Sequence, residues 1–197
     1  MSIFHRLFGG PAAPPVPDPA NPPANDPTPD TDTAAVRRIV AKLEALPPEE
    51  ARLIACSAYV VTRAANADMQ ISEAETAFLE TALREHTDLD EAQAVLVVEM
   101  AKMQSRAIGG TEDYLVTREF AEMSTPAQRL AVLRTCFAVA AVDDSINAAE
   151  SATINEIANE LQVDESDLIA LRAEFAEKFS AIQAARKATA PTEVPSA

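Results

Sequence analysis

The chain has no tryptophan, four glycines and two cysteines, and aromatic residues make up only 5% of its 197 positions. That shortage argues against a sheet-based core, because strands draw on aromatic and β-branched side chains. Apolar residues still reach 48%, and alanine and leucine dominate them. Such residues lose little freedom on entering a helix, so the expected fold class is all-α. Cys56 and Cys136 lie in apolar runs without Cys-x-x-Cys spacing, which suits small buried hydrophobes in a reducing compartment. Positive charge is also scarce, with 16 Lys and Arg against 31 Asp and Glu, for a net charge of −15. Phosphate binding needs clustered Lys and Arg, so nucleic acid is not an expected partner. Cations and basic protein surfaces remain compatible with that charge.

Long apolar runs are missing as well. None approaches the roughly 20 residues that a membrane-spanning helix requires. The N-terminus carries one Arg and lacks the apolar stretch of about 7–15 residues that marks a signal peptide, so a cytoplasmic location is expected. Histidine is limited to His5 and His86. No His-Glu-x-x-His, glycine-rich phosphate loop, or Ser/His/Asp or Cys/His set accompanies them. His86 ends a helical pattern, where the helix dipole favours a cationic side chain. No enzymatic chemistry is expected.

Residues 1–10 form a short apolar motif in which Ile3, Phe4, Leu7 and Phe8 share one helical stripe. So short a peptide cannot hold a helix alone, which makes these four residues candidates for binding a partner. Residues 11–32 hold nine of the fourteen prolines and read as an extended, solvated linker. A helical domain is expected over 33–186, followed by a disordered tail over 187–197.

Within 33–186, apolar residues recur at helical spacing in about seven or eight segments. Val36, Ile39, Val40, Leu43 and Leu46 form the first, which Pro47-Pro48 ends. Gly109-Gly110 breaks the pattern midway, and Thr125-Pro126-Ala127-Gln128 supplies a helix start with Thr at the N-cap and Pro at N1. The last helix is expected to run from Asp164 through Phe175 and Phe179 to Ile182.

Two junctions between these helices match each other. Asp68-Met69-Gln70-Ile71-Ser72-Glu73-Ala74-Glu75 returns, 75 positions on, as Asp143-Asp144-Ser145-Ile146-Asn147-Ala148-Ala149-Glu150. Both read Asp-x-x-Ile-(Ser/Asn)-x-x-Glu, and the flanking segments suggest two pseudo-repeated helix-loop-helix halves. Ser72-x-x-Glu75 is a capping box, and Asn147-x-x-Glu150 is its variant. Capping does not account for Asp68 or Asp143. The pattern also matches the second half of a calcium-binding EF-hand loop, but the first half of that ligand set and the loop glycine are missing. In a third arrangement the two loops meet, and Asp68, Glu75, Asp143 and Glu150 surround a divalent cation (Ca²⁺, Mg²⁺, Mn²⁺ or Zn²⁺) that offsets their repulsion. The second copy, with Asp144 beside Asp143, is the better cation candidate.

Ala67-Asp68, Ile71-Ser72 and Glu75, then Asp143, Ile146-Asn147 and Glu150, followed by Glu156-Ile157-Ala158-Asn159-Glu160-Leu161, resemble the TerB tellurite-resistance family. The same domain type occurs in DjlA-type membrane-anchored co-chaperones. The similarity covers about residues 35–183. It departs from the family pattern at the loop glycine, replaced here by Met69 and Asp144. That position often needs positive φ, which Asp tolerates better than Met. The resemblance implies a compact all-α domain, acidic motifs that coordinate a metal, and a place in a stress-response complex of proteins, peripheral to the inner membrane face. The alternative reading is a structural adaptor or co-chaperone-type accessory without a metal, recruited by its N-terminal apolar motif. The His-Pro-Asp signature of a J-domain is absent.

Overall fold

The computed structural model describes residue 37 and residues 40–67, 70–108 and 113–189. The N-terminal motif with Ile3, Phe4, Leu7 and Phe8, the proline-rich stretch 11–32, Asp68, Met69, Gly109-Gly110 and the tail from 190 lie outside the described residues. The chain divides into two compact units, Met1–Arg52 and Leu53–Ala197. In the first, residues 40–44 are helical and Leu43 is buried. Helix α1, Pro48–Ala65, begins inside that unit with proline and two glutamates in its first turn. Proline lacks the N–H that would go unpaired there, and the glutamates favour the positive end of the helix dipole.

The second unit continues with α2 (Glu73–His86), α3 (Glu91–Ile108), α4 (Asp113–Met123), α5 (Pro126–Ala140), α6 (Ala148–Glu160), α7 (Glu165–Glu174), a 3₁₀ turn (Ala176–Lys178) and α8 (Ser180–Thr189). No strand forms among the described residues, so the fold is all-α as the composition implies. Four of these helix starts are fixed by side chains. Ser72, Thr125 and Asn147 each make a capping box with the residue three positions on. Asp90 and Gln93 exchange the same pair of bonds at the start of α3, at 2.8 and 3.0 Å. Each cap satisfies backbone N–H groups that a helix leaves unpaired.

Helix α5 is the centre of this unit. Leu133, Cys136, Phe137, Val139 and Ala140 are all buried on it, around more than one face, as expected of a helix enclosed by others. It packs against α2, α6 and α7, while α2 also packs on α3, and α4 on α6. Phe137 stacks on Phe175, with ring centroids 5.5 Å apart, and meets the edge of Phe179 at 6.4 Å. Helix α6 ends where Gln162 takes a φ of 55°. The Gln162 and Val163 N–H groups then reach the Asn159 and Ala158 carbonyls, at 3.1 Å each. This is the left-handed stop that glycine usually supplies.

The repeat read from sequence reappears in the helix boundaries. The ends of α1 and α5, and the starts of α2 and α6, are 75 positions apart, and the starts of α3 and α7 are 74 apart. The last expected helix differs. It breaks after Glu174 into the 3₁₀ turn before resuming as α8. The break lets Phe179 return to the second acidic loop, where Ile146 and Phe179 form an isolated parallel bridge. Its two hydrogen bonds, Ile146 N–H to the Lys178 carbonyl (2.7 Å) and Ser180 N–H to the Ile146 carbonyl (3.0 Å), could not form from a continuous helix.

Candidate functional site

Of the first acidic loop, the structure describes Gln70 onward, so Asp68 lies outside the described residues. Glu75 is placed as a cap: its Oε2 accepts from the Ser72 N–H at 2.7 Å and the Ser72 hydroxyl at 2.8 Å. The second loop, from Ala141 to Asn147, is described throughout. Asp143 turns its Oδ1 back to the Ser145 N–H at 3.1 Å. Asp144 follows with a φ of 67°, the left-handed conformation that aspartate accepts more readily than most residues. Its carboxylate pairs with the Lys178 ammonium, and its carbonyl accepts from the Gln183 amide at 2.9 Å. The hydrogen bond and charge of Lys178 hold the Asp144 carboxyl below its ordinary range. Glu150 is buried, and its Oε2 accepts from the Asn147 N–H at 2.7 Å.

Each described member of the candidate metal set therefore has a partner within the protein. Among the described residues, no group of three or more His, Cys, Asp or Glu is placed to hold a metal ion. Glu75, Asp143, Asp144 and Glu150 do not come together as such a group. Ile146 is fully buried, which anchors the second loop to the core.

A larger polar cluster, built on Arg63, escaped the reading from sequence. Arg63 sits in the last turn of α1, with its side chain only 10% exposed. Its guanidinium forks onto both carboxylate oxygens of Glu160 on α6. It also reaches Glu156 at 3.3 Å, the Thr117 hydroxyl at 3.2 Å and Asp113 at 3.8 Å. The Tyr59 hydroxyl donates to Asp113 at 2.5 Å. Burial opposes the charge on Arg63, but the hydrogen bond and charge of Glu160, with Asp113 and Glu156 behind it, hold its pKa above the ordinary value. The geometry is that of a clamp joining α1, α4 and α6. It was legible in one respect: Arg63 is the one charge in the run from Leu53 to Ala65, and a buried cation needs carboxylates close by.

Cys136 is fully buried and Cys56 nearly so, and neither forms a disulfide. His86 is exposed at the end of α2, and His5 lies outside the described residues. No described helix is long and apolar enough to cross a membrane.

The family model of the tellurite resistance protein TerB matches residues 54–173 of the chain. That span begins within α1 and ends within α7, so it takes in both acidic loops and the Arg63 clamp. No curated protein and no solved structure shows significant similarity.

Proposed function

The chain belongs to the TerB family of tellurite-resistance proteins, and from that membership we propose that it is a non-enzymatic, acidic interaction module serving tellurite or general stress resistance. The observation that carries this reading is how the folded body uses its charges. Arg63 is held by Glu160, Arg129 by the Leu161 carbonyl, Arg134 by Glu174 and Arg172 by Asn155. Lys102, Lys178 and Arg186 pair with Glu99, Asp144 and Glu177. Acidic side chains outnumber basic ones by 15 across the chain, so the surplus is negative. Beside it, Met103 (59% exposed) and Leu115 (58%) stay in contact with solvent. A negative surface with scattered large apolar side chains suits a protein partner with a basic surface, because charge speeds the encounter and apolar anchors hold the contact.

The reading is tested in a strain lacking this gene, grown on potassium tellurite. Met103→Glu and Leu115→Glu are expected to fold with an unchanged Tm and yet fail to restore growth. Full restoration by both would remove these side chains from the function. Growth unaffected by loss of the gene would remove tellurite.

The N-terminal motif supports a second contact of the same kind. Ile3, Phe4, Leu7 and Phe8 precede a proline-rich stretch that can act as a spacer, which suits recruitment to a complex at the inner membrane face. A chain lacking residues 1–32 should then redistribute on cell fractionation, and an unchanged distribution would sink this part. Cation binding enters the proposal at the first loop, through Asp68. Titration calorimetry with Ca²⁺, Mg²⁺, Mn²⁺ and Zn²⁺ on wild type and Asp68→Ala decides it. No heat with any of the four would take the cation out of the reading.

A further inference from the structure

The resemblance implies a metal at both acidic loops, and the second is described completely enough to test the fit. Its donors do not fit a divalent cation. Asp143 folds back onto the Ser145 N–H, Glu150 is buried as a cap on the Asn147 N–H, and Asp144 turns outward to Lys178. A hard cation of the Ca²⁺ type needs six to eight or so oxygen ligands converging on one point. Here the three carboxylates serve three separate donors.

We propose that the second acidic loop is a metal-independent latch, in which Lys178 supplies the positive charge that a cation would otherwise bring. Three further observations place Lys178 there. The backbone bridge between Ile146 and the Lys178–Ser180 segment fixes the turn beside the loop, through bonds of 2.7 and 3.0 Å. Phe179, the next residue, makes an edge-type contact with the Phe137 ring, and the Arg172 guanidinium lies 5.3 Å from its ring centroid. Gln183, one turn into α8, donates both to the Asp144 carbonyl at 2.9 Å and to the Glu177 carbonyl at 3.0 Å, so the loop also holds the start of α8. The segment from Lys178 to Gln183 follows the residues matched by the family model, which end at 173. The latch therefore joins a family loop to a part of the chain beyond the match. It closes the loop without any ion, and it couples the loop to α8.

The test is amide hydrogen exchange and chemical shift by NMR on the full chain. Lys178→Met is expected to speed exchange at the two bridge donors, Ile146 and Ser180, by about threefold, the scale of an exposed ion pair. Lys178→Arg, which keeps the charge, should leave both rates near wild type. In the wild type, millimolar CaCl₂ or MgCl₂ should leave the amide shifts of residues 143–147 in place. Lys178 is partly exposed, and its side chain pairs with the exposed Asp144 at the surface, so the variants should fold. A cation-dependent shift confined to residues 143–147 in the wild type would overturn the proposal. Unchanged exchange at both Ile146 and Ser180 in Lys178→Met would overturn it equally.

Discussion

Cys136 lies on α5 with no exposed surface, its Sγ 4.0 Å from the Val60 carbonyl oxygen. Burial pushes its thiol up to about 12, against the opposing pull of the Arg63 charge and a backbone hydrogen bond. An unfolded thiol titrates near 8.5. The raised folded value means that the thiol's contribution is fully present below about pH 8.5 and is lost as pH rises from there toward 12, because only the unfolded chain ionises in that window. Urea unfolding at pH 8 and pH 10 should show this group taking ~2 kcal/mol from wild-type stability, at about 1.4 kcal/mol per pH unit. The fall should be shallower by that amount in Cys136→Ala. Equal slopes in the two proteins would rule the thiol out as the titrating group. The sequence already placed this residue, since a cysteine in an apolar helical run without a paired cysteine is most simply a small buried hydrophobe.

Among the elements, the junctions opening α2, α5 and α6 were the most legible, because a capping box needs only residues three positions apart. Ser72 with Glu75, Thr125 with Gln128 and Asn147 with Glu150 all form as their spacing implies. Asn147→Ala should cost about 1 kcal/mol, since Asn147 Oδ1 accepts from both the Ala149 and Glu150 N–H groups, at 2.8 and 3.1 Å. Thermal unfolding followed by circular dichroism measures that cost, and an unchanged Tm would show that the cap is dispensable. The break between α7 and α8 was not legible. Residues 175–182 keep helical apolar spacing, and nothing local stops them. The stop comes from Ile146, about 30 positions earlier, whose backbone groups take the bonds that a continuous helix would have made.

Across the whole molecule, the Arg63 clamp ties α1, α4 and α6 together through partners 50 to 97 positions away from the arginine. Arg63→Met would leave Glu160 and Asp113, with side chains 14% and 16% exposed, without their cation. Stranding buried carboxylates in this way costs about 3–5 kcal/mol. Urea unfolding at neutral pH should show a loss near the lower end, because Glu156 is exposed. Arg63→Lys should recover only part of it, since an ammonium cannot fork onto both Glu160 oxygens. Adding Glu160→Gln to Arg63→Met should restore stability in part, and no recovery at all would mean that the arginine acts by packing instead of charge.

The sequence by itself determined the helical class, the starts of α2, α5 and α6, the pseudo-repeat and the burial of Cys136. Each of these follows from side-chain chemistry over a few positions: helix propensity, apolar spacing and capping distance. The tertiary structure decided what became of the acidic motifs. From sequence, Glu150 already read as a cap, while Asp143 and Asp144 read as donors awaiting a cation. Folding brings Lys178 to Asp144 and turns Asp143 back onto the Ser145 N–H, because a charge near the surface takes whichever opposite charge the packing carries closest. The arginine clamp was decided the same way, by helices whose carboxylates lie far apart in the chain and meet only when α4 and α6 pack together.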